Sequence, residues 1–172
     1  MTRLPEPLQA SETITVADER ALAAVASRLA SVLPARAFVA LDGDLGAGKT
    51  TFVKGVAAAV GIDPTDVVSP TFGLIHLHRH PEAGAADGQS QLIVHADMYR
   101  LTGIDELAET GWDDAIAPPA WVFVEWPQRI AAALPVERID LAIAITSPMA
   151  RTLTITGYGP AHAAAVAALR RG

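Results

Sequence analysis

The segment Gly43-Asp44-Leu45-Gly46-Ala47-Gly48-Lys49-Thr50 restricts this chain more than any other. It fills the pattern G-x-x-x-x-G-K-[ST], and each position has a physical duty. Glycines let the backbone curl until successive N–H groups face inward, a nest for phosphate oxygens. The helix that follows directs its positive end at the same point. Such a loop needs a strand leading in and a helix leading out, and the flanks provide both. Ala37–Leu41 is wholly apolar, the pattern of a strand covered on both faces. Thr50–Val60 puts Phe52, Val53, Val56 and Val60 on one side of a helix that closes at Gly61. A glycine turn that binds nothing would not require this framing. Lys49 is then expected to neutralise the β- and γ-phosphates, and the Thr50 hydroxyl to ligate Mg²⁺. Asp44, Leu45, Gly46, Ala47, Gly48 and Thr51 complete the expected nucleotide contacts.

The base is approached by elimination. Loops of this class that take guanine commonly read it through an Asn/Thr-Lys-x-Asp element. This chain has no asparagine, and neither of its lysines, Lys49 and Lys54, is followed two residues later by Asp. ATP is the expected nucleotide. Magnesium also needs a carboxylate. Asp97 ends the apolar run Leu92–Ala96, and Glu125 ends Trp121–Val124. In an α/β sheet, ligands gather at the carboxyl ends of strands, so both acids are candidates for the metal and for catalysis. Either acid alone could equally cap a strand or pair with Arg100 or Arg129. Trp126, next to Glu125, reads as core or as site. Ser69-Pro70-Thr71-Phe72 offers hydroxyls on a proline-stiffened turn, able to respond to a γ-phosphate. His76, His78 and His80 alternate and would share one strand face, but no fourth ligand accompanies them, so zinc is not expected.

The rest of the chain reads as one α/β domain. Thr15-Val16-Ala17-Asp18 fits a helix-start signal ahead of Leu22, Val25, Ala26, Leu29, Val32 and Leu33. Strands are expected at Phe72–His78 and Leu92–Ala96, on either side of the polar stretch Pro81–Gln91. Ile104–Ala117 reads as a helix broken near Gly111, and Gln128–Leu134 as a short helix. Leu141–Ile145 and Leu153–Thr156 form a final strand pair, and Ala161–Arg171 a terminal helix or a loosely held tail. The expectation is a single P-loop NTPase-like domain over 1–172, with its core at about 13–158. Its sheet is mixed and mainly parallel, flanked by helices.

Composition narrows the partners. With 13 basic against 19 acidic residues and a net charge of −6, the chain lacks the basic face of a protein that grips nucleic acid unaided. Cysteine is absent, which excludes thiolate chemistry and suits a reducing cytoplasm. No membrane span is expected. Residues Met1–Ala10 carry Pro5, Glu6 and Pro7 where a signal peptide would have an apolar core.

The strings GDLGAGKTTF, SPTF, HADMYRL and VEWP, in this order and spacing, resemble the TsaE (YjeE) family, the bacterial P-loop ATPases of the tRNA threonylcarbamoyladenosine pathway. The resemblance covers roughly Thr15 to Arg151. It implies an ATPase that acts with the TsaD and TsaB proteins, supporting or resetting the TsaD transferase rather than transferring the group itself, and meeting tRNA only through that assembly. It places Lys49 and Thr50 on phosphate and magnesium, makes Asp97 the acid of an H-x-D-x-Y-R motif, and makes Glu125 and Trp126 the essential acid and tryptophan. It puts Asp18 and Glu19 near the adenine and Arg151 on the nucleotide. Pro81–Gln91 is longer than the family's usual turn. Two other functions compete: a small-molecule kinase, although Pro81–Gln91 lacks the arginine of a kinase lid, and a non-catalytic ATP-dependent switch.

Overall fold

The computed structural model describes residues 8–79 and 91–170. A seven-stranded sheet organises it, with β1 (Gln9–Val16), β2 (Ala37–Asp42), β3 (Ile75–His78), β4 (Ile93–Asp97), β5 (Trp121–Glu125), β6 (Ile139–Ile145) and β7 (Arg151–Tyr158) in the order β1-β7-β6-β2-β5-β4-β3. The central strands β6, β2, β5 and β4 run parallel, and antiparallel strands extend the sheet at both edges. The sheet is therefore mixed and mainly parallel at its core, as the sequence led us to expect.

Why the central strands are central follows from their composition. Each residue of β5 is buried, as are the first five of β2, so both need a cover on either face. One cover consists of α1 (Glu19–Ala30), α2 (Lys49–Ala59) and α4 (Pro160–Leu169), whose apolar side chains pack with Val39, Leu41, Phe123, Ile139, Leu141 and Ile155. The other is built from α3 (Trp112–Ile116) and two 3-10 segments, Ile104–Thr110 and Pro127–Ala133, which enclose Phe38, Val94, Val122 and Val124. This second cover stops short of the β6-β7-β1 half. There Ser11, Thr13, Thr15, Ala142, Ala144 and Thr154 are exposed, and Ser11–Thr156 and Thr15–Thr152 hydrogen bonds join the strands. Among the described residues no helix is long and apolar enough to cross a membrane.

Three expectations change. Thr15 does not start a helix: it lies in β1, and Asp18 is the cap of α1, accepting the Ala21 N–H at 2.8 Å. The pairing of β1 with β7 outweighs the local capping signal. The strand expected from Phe72 begins only at Ile75, after a turn in which Leu74 has φ 61°. The stretch 104–117 breaks at Gly111 (φ 76°) as anticipated, although its first part is 3-10 rather than α-helical. The terminal segment is a packed helix, with Ala163, Ala165, Val166 and Leu169 buried. His80 and residues 81–90, including most of the polar stretch, lie outside the described residues.

Candidate functional site

The sheet's connectivity makes one crevice. The chain leaves β2 through the glycine loop into α2, and its neighbours β5 and β6 lie to opposite sides, so the carboxyl ends of the parallel strands open beside the loop. A cavity of about 400 Å³ lies there. Its walls bring together Asp18, Glu19, Leu45, Gly46, Ala47, Gly48, Lys49, Thr50, Thr51, Asp97, Glu125, Trp126 and Arg151, which is every candidate residue from the sequence except Asp44. Leu22, Ser69, Thr71, Tyr99 and Met149 complete the lining.

The loop's shape depends on Gly48, whose φ of 108° is a backbone state that side chains rarely adopt. A Cβ there would also come within 2.7 Å of the Leu22 side chain on α1. Lys49 sits in the first turn of α2, 5% exposed, with Nζ donating to the carbonyls of Gly43 and Asp44 at 2.5 and 3.0 Å. Asp44 thus takes part through its backbone. Burial pulls the Lys49 ammonium below its ordinary pKa, against Glu125, Asp97, Asp42 and Asp44, which favour the charged form. The Trp126 ring centroid lies 4.3 Å from Nζ, and the Tyr99 ring meets Trp126 at a 52° tilt with centroids 5.0 Å apart. Trp126 has φ 57°, and a non-glycine residue in that region costs on the order of 1–3 kcal/mol, strain typical of working sites.

The two acids end adjacent strands in register, Asp97 opposite Glu125. Neither pairs with Arg100 or Arg129. Glu125, 4% exposed, accepts from the Thr50 hydroxyl at 2.8 Å and is bonded at the same distance to His95 Nε2. Asp97 accepts from Ser69 and Thr71 at 3.1 and 2.7 Å and from the Tyr99 N–H at 2.9 Å, which ties the Ser69–Phe72 turn to the site. Arg151 has a second set of contacts besides its place at the cavity. It borders the cavity, and its Nε and Nη2 donate to the carbonyls of Ala47 and Gly46 at 3.0 and 3.2 Å, bracing the loop. Asp18 likewise serves as the α1 cap while facing the cavity.

The sequence placed His95 only as the first residue of the H-x-D-x-Y-R motif and gave it no role, although its place two residues before Asp97, on the same strand face, is a usable signal. His78 neighbours it, with ring centroids 6.4 Å apart. Among the described residues, His78 Nε2 and His95 Nδ1 are buried without hydrogen-bond partners.

The donors suit a hard cation, since Thr50, Glu125 and Asp97 all offer oxygen. Mg²⁺ commonly takes one or two carboxylates and leaves its other positions to phosphate and water. Among the described residues no group of three or more His, Asp or Glu could hold a metal alone. Such an ion would be held jointly with a phosphate, at the place where the loop and the positive end of α2 favour one.

The family model described as threonylcarbamoyl adenosine biosynthesis protein TsaE matches residues 16–153. A tRNA threonylcarbamoyladenosine biosynthesis protein TsaE from Streptomyces coelicolor is 37% identical over 143 residues, 80% of this chain and 91% of that one. Its counterpart in Bacillus subtilis is 39% identical, covering 69% and 68%. The crystal structure of Bacillus subtilis YdiB superposes with a TM-score of 0.72 at 26% identity, covering 96% of this chain and 98% of that one.

Proposed function

The chain belongs to the TsaE family of threonylcarbamoyladenosine biosynthesis proteins, and from that premise we propose that it is a cytoplasmic, Mg²⁺-dependent ATP hydrolase serving this tRNA modification. It acts with TsaD and TsaB partners and supports or resets the transferase. The observation that carries the reading is the Thr50–Glu125 hydrogen bond at 2.8 Å, made at the mouth of a glycine loop that already holds Lys49.

Mg²⁺, when bound with the nucleotide, neutralises charge on the phosphates and orients them for attack by water. The chain's own groups do the rest. Inward N–H groups of the loop and the Lys49 ammonium bind the phosphates. Thr50 and Glu125 position oxygens for the ion. Asp97, held by Ser69, Thr71 and the Tyr99 N–H, fixes the switch-like turn beside them. The Trp126 ring shields Lys49 from water. A net charge of −6 suits a protein whose partners hold the tRNA.

The test is calorimetric and kinetic. The wild-type chain is expected to saturate with Mg·ATP and to hydrolyse it faster when TsaD and TsaB are added. Lys49→Ala should lose at least about 100-fold in nucleotide affinity, the scale of one buried charge-assisted contact to phosphate. Glu125→Ala should still bind but turn over at least about 100-fold more slowly in the assembly. Wild-type turnover by Glu125→Ala would defeat the metal assignment. Absence of saturation by the wild type would defeat the nucleotide assignment.

A further inference from the structure

We propose that His95 is a positioning residue for Glu125: its imidazole fixes the carboxylate so that one oxygen is reserved for the metal ion. The inference rests on the ATP and Mg²⁺ reading above and deepens it.

His95 lies in the middle of β4 with no exposed surface, beside β5 and two positions ahead of the Asp97–Glu125 register pair. Its Nε2 and the Thr50 hydroxyl both meet the same oxygen, Glu125 Oε1, each at 2.8 Å. A carboxylate oxygen only accepts, so Nε2 carries a proton and donates it to Oε1, leaving Nδ1 as the second polar atom of the ring. That Nδ1 is buried without a partner among the described residues. Packing alone does not explain this choice of side chain. A leucine would fill the space without an idle polar atom, and an unpartnered buried polar atom calls for a reason. The reason is the other nitrogen.

The terminal torsion of a glutamate is broad, so one hydrogen bond leaves the carboxylate free to turn. Two donors on one oxygen remove that freedom. Among the described residues, Oε2 has no hydrogen bond, and no lysine or arginine lies within ion-pair distance of Glu125. His95 is thus the partner that orients the acid while leaving Oε2 and the Thr50 lone pairs available for a cation. Outer partners of this kind govern how well a metal is held, commonly by about 10–100-fold.

The experiment titrates Mn²⁺ into the full-length protein saturated with a non-hydrolysable ATP analogue, reading free Mn²⁺ by paramagnetic resonance. Wild type is compared with His95→Leu and His95→Gln, whose amide N–H has nearly the reach of Nε2. His95→Leu is expected to weaken Mn²⁺ binding about 10–100-fold, with affinity for the analogue in chelator unchanged and His95→Gln recovering most of the loss. Wild-type Mn²⁺ affinity in a folded His95→Leu overturns the proposal. So does an equal loss in both variants together with loss of metal-free nucleotide binding, since that marks a role in folding alone. If His95→Leu does not fold, His95→Asn, too short to reach Oε1, takes its place against His95→Gln under the same criteria. A wild type that binds no analogue overturns the ATP reading itself, before any variant is compared.

Discussion

Individual side chains here carry duties that look contradictory until their distances are known. Lys49 is a cation drawn into the protein, and burial works against its charge while four acids work for it. An incoming phosphate adds to the second group, which is why a lysine tethered to the carbonyls of its own loop suits capture of an anion. Gly48 makes that tether feasible. Gly48→Ala introduces a Cβ at φ 108° against Leu22, and backbone strain of about 1–3 kcal/mol is expected. A denaturant midpoint should record the lost stability, and calorimetry should show weakened Mg·ATP binding; an unchanged pair of values would mean that the loop relaxes freely. At this scale the sequence was informative about identity and poor about partnership. Glu125 announces itself as the acid that ends an apolar strand, but Thr50 lies 75 positions away and His95 30. Spacing along a chain does not reveal who donates to whom.

Secondary-structure elements were legible where local pattern and tertiary demand agree. β5 coincides with the run from Trp121 to Glu125, because a strand buried on both faces must be apolar throughout. β1 escaped notice for the opposite reason. Its outward Ser11, Thr13 and Thr15 make a weak pattern, and only pairing with β7, 140 or so positions on in the chain, makes it a strand. The terminal segment was ambiguous because alanine gives little sign of a buried face, yet Gly157 of β7 lies so close to α4 that a Cβ would come within 2.4 Å of the His162 carbonyl oxygen. That docking draws His162 into the interior, where burial pulls its pKa below the ordinary 6.5, only partly opposed by Glu137. A base with a depressed folded pKa takes up protons more readily when unfolded. Its contribution to stability is therefore complete above pH 6.5 and is lost as pH falls from there through the folded value. His78 is shifted in the same direction, chiefly by burial. Unfolding midpoints should fall between pH 7 and pH 5, and His162→Phe should flatten that decline. A decline as steep as that of the wild type would assign it to other groups.

Across the whole molecule, the parallel and antiparallel parts of the sheet divide the labour. β2, β5 and β4 deliver the loop and both acids, while the β6-β7-β1 part has no carboxylate in the cavity. Nucleotide that binds only the folded chain stabilises all of it together. At about 100 times its dissociation constant it adds roughly 2.7 kcal/mol, which for a chain of this size amounts to a rise in melting temperature of roughly 5–10 °C. Lys49→Ala should show almost none of this rise; a full rise in that variant would place the ligand elsewhere. Arg151, at the first position of β7, is where the two parts meet, because its guanidinium holds the Gly46 and Ala47 carbonyls. Each trans peptide points its N–H opposite to its C=O, so holding the Ala47 carbonyl toward Arg151 turns the Gly48 N–H the other way. No economical miniature of this protein can then be cut after β5. Such a fragment would retain Lys49, Thr50, Asp97 and Glu125, and would lose the distant strap on the loop's peptide planes.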